Sequence, residues 1–156
     1  MDLRWGLALL FNAVLLGVTG FALVRGGLPE RVGAMVNLVA SLATTVLRLI
    51  DPQFYAPAQT VVLGIDLAVA AAFYWLALKT IRFWPIWASG FALANIVASV
   101  TAPLLPRTPL LAYHSGLGIY AYLALGALFL GTWHMPRDAS PALRNGFRNQ
   151  QPPIDP

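Results

Sequence analysis

Apolar residues gather into five long stretches separated by short polar breaks: Trp5–Val24, Val32–Ile50, Ala58–Leu78, Phe83–Leu105 and Leu110–Trp133. A helix needs roughly 20 mainly apolar residues to cross a hydrocarbon layer about 30 Å thick, and each stretch reaches or nearly reaches that length. The breaks carry turn chemistry: Arg25-Gly26-Gly27-Leu28-Pro29-Glu30-Arg31, Asp51-Pro52-Gln53-Phe54-Tyr55-Ala56-Pro57, Lys79 to Arg82, and Pro106-Arg107-Thr108-Pro109. The first stretch reads as a retained span rather than a signal peptide. Its apolar run is about 20 residues against the usual 7–15, and Arg25 stops it.

The second stretch is the most polar, through Asn37, Ser41, Thr44, Thr45 and Arg48. Gly33, Asn37, Ser41, Thr44 and Arg48 share an arc of about 80° on a helical wheel, opposite Val36, Val39, Leu42, Ala43, Val46 and Leu47. A helix lying in the interface usually lines its polar face with several Lys or Arg. This stripe is small and neutral apart from Arg48, which predicts a span with its small face turned inward.

Charge placement tests that reading. Five spans put Arg25, Arg31, Lys79, Arg82, Arg137, Arg144 and Arg148 on one side and Arg4, Arg48 and Arg107 on the other, seven against three. A flat second stretch would leave six against four. The rule that basic residues collect on the cytoplasmic side favours the first. The expected architecture is therefore an all-α integral membrane protein: five transmembrane helices in a compact bundle over residues 1–135, N-terminus outside and C-terminus cytoplasmic. Residues 136–156, with Pro136, Pro141, Pro152, Pro153 and Pro156, read as a disordered cytoplasmic tail. Leu143, Phe147 and the arginines around them offer anionic lipid a resting place, but a solvated tail is the favoured reading.

Composition supports a membrane protein. Only 10% of the 156 residues are charged and 58% are hydrophobic, with a mean hydropathy of +0.69. A water-facing domain carries about 25% charged residues. The net charge of +4 comes from basic residues at segment ends, not from a run that could track phosphates, so nucleic acid is not an expected partner. The chain has no cysteine, which removes disulfides, thiolate metal sites and thiol nucleophiles.

Asp66 is the one acid deep in an apolar stretch, flanked by Val62, Ile65, Leu67 and Val69. An Asp at the centre of a span costs about 2.5–3.5 kcal/mol to insert, so such residues usually face the bundle interior with a partner. It is either a proton or cation site, or a protonated or paired carboxyl holding helices in register; the second is the favoured reading. Depth along the helices suggests Arg48, Asn12, Asn95 and His114 as the groups that could meet Asp66 in the outer half of the bundle. The two histidines, His114 and His134, are twenty residues apart on one helix, about 30 Å along its axis. They cannot share one iron, although single-histidine ligation of a haem or pigment by His114 stays open. His134 reads as an interfacial residue.

Gly64, Ala68 and Ala72, and on the fourth stretch Ala88, Ala92, Asn95, Ser99 and Ala102, form stripes that permit close helix approach, within the bundle or to another subunit. Arg82, Trp84, Trp87 and Trp133 are expected to anchor the cytoplasmic boundary, and Pro85 suits a first helical turn. No Walker loop, HExxH or GxSxG occurs, so no enzyme is expected.

Arg25 to Arg31, Arg82-Phe83-Trp84-Pro85-Ile86-Trp87 with Gly90-Phe91, and Asp66-Leu67 resemble small uncharacterised polytopic membrane proteins of alphaproteobacteria. The resemblance covers about Phe21 to Trp133 and implies a multi-pass protein of the bacterial inner membrane. It carries no activity, cofactor or functional residue. The expected function is a non-enzymatic accessory or assembly subunit of a membrane complex, with lipid and either protein partners or a second copy of the chain around it. The alternatives are a proton-coupled small-molecule transporter or channel using Asp66, and a pigment- or haem-binding subunit using His114.

Overall fold

The computed structural model describes residues 3–50, 60–101 and 110–148. Among them six helices and no β-strand occur: α1 (Leu3–Arg25), α2 (Leu28–Ile50), α3 (Thr60–Lys79), α4 (Trp84–Thr101), α5 (Leu110–Trp133) and the short α6 (Pro141–Asn145). The five apolar stretches are the five long helices.

α2 starts four residues earlier than its apolar pattern. Pro29 occupies the first turn, where its missing amide loses no helical bond. Glu30 reaches back to accept from the Gly27 amide at 2.9 Å, which caps the turn from within. Gly26 donates to Ala22 O at 2.9 Å, and a Cβ at Gly26 would overlap that carbonyl. The elbow between α1 and α2 therefore needs glycine there.

α4 packs between α3 and α5, α1 packs against α2 and α5, and α2 touches both α3 and α5. The five helices thus close in a ring. Ring contacts Phe11–Tyr122 and Phe21–Phe129, both 5.3 Å between centroids, show α1 and α5 running parallel. The Asp66–Asn95 and Phe73–Trp84 contacts show α3 and α4 antiparallel.

The core is concentrated at one end, where Ala22, Ala34, Phe73, Leu76, Trp84, Ala88 and Leu128 are buried together. α2 turns Gly33, Asn37, Ser41 and Thr44 toward its neighbours and leaves Val39, Leu42 and Val46 exposed. Large apolar side chains such as Leu16, Val24, Leu67, Trp75, Val97 and Leu130 cover the outside. On a water-facing molecule so much exposed apolar surface would be a liability. α3 and α4 are each long and apolar enough to cross a membrane.

One expectation is corrected. Residues 136–148 are an ordered segment folded back on the bundle, not a free tail. Ser140 caps α6, its hydroxyl accepting from Leu143 N at 3.3 Å, and Gly146 closes the helix at φ 65°. Gly146 O then accepts from Ile81 N at 3.0 Å, and the Phe147 ring lies 5.9 Å from that of Trp75. Low apolar content hid these contacts, because beyond the Phe147 ring the segment is held by hydrogen bonds that each end on a backbone carbonyl, including those from Arg82 to Leu143 O and from Arg148 to Thr80 O. Residues 149–156 lie outside the described residues. Of the two small-residue stripes, the one on α3 turns Gly64 and Ala68 out of the bundle, and nothing lies within 4 Å of a Cβ placed at Gly64. The α4 stripe is the buried one, with Ala88 and Ser99 enclosed.

Candidate functional site

The structure shows one pair of the expected polar cluster in contact. Asn95, one residue of the inward face of α4, donates from Nδ2 to Asp66 Oδ2 at 3.0 Å. Asp66 is part-buried on α3, six residues from the start of that helix and so about 9 Å along it. Asn12 lies elsewhere, on an open groove between α1 and α2 with Leu15, Leu38, Ser41 and Thr45, a space of about 230 Å³. The side chains of Arg48 and His114 lie outside the described residues. Among the described residues a carboxylate and one amide are seen brought together, and the pair ties α3 to α4.

A second and more enclosed carboxylate lies at the other end. Glu30, fully buried, accepts from the Gly27 amide on Oε2 and from Trp84 Nε1 on Oε1 at 3.1 Å. Arg82 Nε stands 3.2 Å from the same Oε1. That N–H is not aligned with the oxygen, so the contact is an ion pair rather than a hydrogen bond. Arg82 Nη2 turns the other way, donating to Leu143 O at 2.6 Å and reaching Met135 Sδ at 3.2 Å. One guanidinium therefore links α2, the α3–α4 turn, the end of α5 and α6.

Trp84 is central to this arrangement. Its indole fills the space beside Gly33 of α2 and Gly131 of α5, and a Cβ at either glycine would overlap the ring. Its edge meets Phe73 at 6.0 Å and 80°. The expectation that Arg82 and Trp84 anchor the boundary is thereby corrected: both point into the bundle, Trp84 as a hydrogen-bond donor to an enclosed carboxylate and Arg82 as its ion-pair partner. Trp87 and Trp133 are exposed, and Trp133 stacks at 5.8 Å on Phe129. His134 is exposed, its Nδ1 2.8 Å from Leu130 O.

Glu30 was not singled out from sequence, where it sits between Arg25 and Arg31 in a charged break. The local signal was Gly27-Leu28-Pro29-Glu30, glycine followed by proline and an acid at capping distance. The long-range signal was absent, since Glu30 and Trp84 are 54 positions apart. The two segments that carry the resemblance, Arg25–Arg31 and Arg82–Trp87, are the two that meet here. Among the described residues no group of three metal-ligating side chains occurs. Searches against protein-family models, curated proteins and solved structures find no match to the chain.

Proposed function

We propose that the chain is a multi-pass protein of the bacterial inner membrane, with five spans, an outside N-terminus and a cytoplasmic C-terminus. In this reading it acts as a non-enzymatic accessory or assembly subunit of a larger membrane complex. The observation that carries the reading is the outward face of α3. Gly64 and Ala68, four residues apart, are exposed with open space at Gly64. In lipid, helices associate by close packing of small residues rather than by the hydrophobic effect, so this face suits a further helix. The enclosed acid agrees with a packing role, since Glu30 is engaged by three groups, the Gly27 amide, the Trp84 indole and the Arg82 guanidinium, and so joins two distant segments.

Purification in mild detergent tests the reading. Stoichiometric protein partners are expected with the unaltered chain and are expected to be lost with Ala68→Leu, a change made on an exposed position. A monomer or a clean homo-oligomer free of other proteins, or partners unaffected by Ala68→Leu, overturns it.

A second reading rests on Asp66. A part-buried carboxylate on an apolar helix, hydrogen-bonded to an amide and with no ion pair among the described residues, suits proton exchange across a bundle. Asp66→Asn keeps an acceptor for Asn95 and removes the ionisable group. Under this reading, proton uptake into liposomes, followed with a pH-sensitive dye, is abolished by Asp66→Asn while the fold is kept. Uptake equal in both proteins removes the role.

A further inference from the structure

The end of the bundle that holds Glu30 also carries Arg25, Arg31, Lys79, Arg137, Arg144 and Arg148, against two described carboxylates, Glu30 and Asp138. Glu30 is taken by Arg82, and among the described residues no other ion pair forms. The main chains of Arg25, Arg31 and Arg144 lie at the Gly26-Gly27 elbow, and Arg137 is joined to them through Arg144. Arg25 ends α1. Arg31 lies in the first turn of α2, its amide donating to Gly27 O at 3.1 Å. The Arg144 carbonyl rests on Gly27, where a Cβ would overlap it. The Arg144 guanidinium donates to Arg137 O at 3.3 Å, which brings Arg137 alongside.

Arg25 is held differently from the rest. Its guanidinium carbon stands 5.8 Å from the ring centroids of both Phe21 and Trp133. Its Nε is buried and has no hydrogen-bond acceptor among the described residues. Aromatic faces attract the charge but do not satisfy the N–H, and a buried donor without an acceptor is costly. At the same level Leu23, Val24, Leu28 and Trp133 are exposed.

We propose that this elbow seats the phosphate of an anionic phospholipid headgroup, with the guanidinium of Arg25, held between Phe21 and Trp133, as the central positive charge and Arg31, Arg137 and Arg144 as the neighbouring ones. The choice of a lipid over a soluble anion rests on the exposed apolar residues beside Arg25, where acyl chains lie when the phosphate is at the arginines. Planar guanidinium groups match phosphate oxygens in geometry as well as charge. The proposal rests on the membrane-spanning reading, and the experiment separates the two.

The full-length chain is first tested for flotation with phosphatidylcholine vesicles, then solubilised and examined by native mass spectrometry with phosphatidylglycerol or phosphatidylcholine of the same acyl chains. Phosphatidylglycerol is expected to be retained preferentially. Each basic group near an anionic headgroup is worth about 1 kcal/mol, so Arg25→Gln should lower its occupancy about fivefold. Arg144→Gln, made on an exposed side chain, should do likewise and keeps the test decisive if Arg25→Gln does not fold. Lys79→Gln, at the same end but outside the elbow, should have little effect. Equal retention of the two lipids by a protein that floats overturns the seat and leaves the membrane reading standing. So does a loss with Lys79→Gln as large as with Arg25→Gln, no loss with Arg144→Gln, or displacement of the lipid by millimolar inorganic phosphate. A chain that does not float overturns the membrane reading itself.

Discussion

At the scale of single residues, the enclosed carboxylate of Glu30 dominates. A buried charge is tolerable only while its partners remain. Arg82→Gln leaves the carboxylate without its cation and is expected to destabilise the fold by about 3–5 kcal/mol, measured by denaturant unfolding in detergent. Trp84→Phe removes one charge-assisted donor and should cost about 1.5–3 kcal/mol. Because the groups share one site, Glu30→Gln combined with Arg82→Gln should cost clearly less than the two single changes added; strict additivity would show that they do not act together. The glycines give a separate test by shape. Gly33→Ala and Gly131→Ala push a methyl into the Trp84 indole, where overpacking costs about 1–3 kcal/mol. Gly64→Ala meets open space and should leave stability unchanged or slightly raised. A uniform response of the three glycines would remove the role given to Trp84.

At the scale of elements, the α1–α2 elbow and the α6 segment behave as one assembly. Gly146 takes a left-handed conformation at φ 65°, and a Cβ there would stand 2.9 Å from Pro29 Cγ. Gly146→Ala is therefore strained twice, by backbone and by contact. It should release residues 140–148 while the long helices stay folded, because the ring closes without α6. Hydrogen exchange checks this: faster exchange at Ile81 N and Gly146 N with unchanged protection in α3 and α4 is expected, and unchanged exchange at Ile81 would show the segment is not latched there. The helices were legible from their apolar runs, and Pro85 marked the start of α4. The latch was not legible, because its bonds run through carbonyls and amides that every residue carries. Ile81 N to Gly146 O leaves no mark in residue type, and for Arg82 to Leu143 O the acceptor is a carbonyl that any residue would offer.

At the scale of the whole molecule, orientation is the next quantity to measure, and the absence of cysteine makes it accessible. Single cysteines introduced as Asp2→Cys and Ser140→Cys can be labelled with a membrane-impermeant thiol reagent with no background. Five spans put the two on opposite sides. Labelling of both from the same side would mean an even number of crossings and would return α2 to the interface. The fold makes a spanning α2 the stronger expectation, since Gly33 seats Trp84 and α2 touches α1, α3 and α5, which a helix lying flat beside the bundle would not do.

The sequence by itself determined the helical class, the number of long helices and their approximate limits. Those follow from apolar run length and turn residues, which are local properties. It also marked Asp66 and Asn95 as buried polar positions, since an acid in an apolar helix is conspicuous whatever surrounds it. Only the tertiary structure decided which polar groups meet. It joined Asp66 to Asn95 but left Asn12 on a groove between α1 and α2, and it turned Arg82 and Trp84 inward onto Glu30. Those pairings depend on helix rotation and on gaps left by Gly33 and Gly131, and rotation about an axis is not encoded at any one position. A charged break that read as a loop marker thus holds the most enclosed carboxylate described in the molecule.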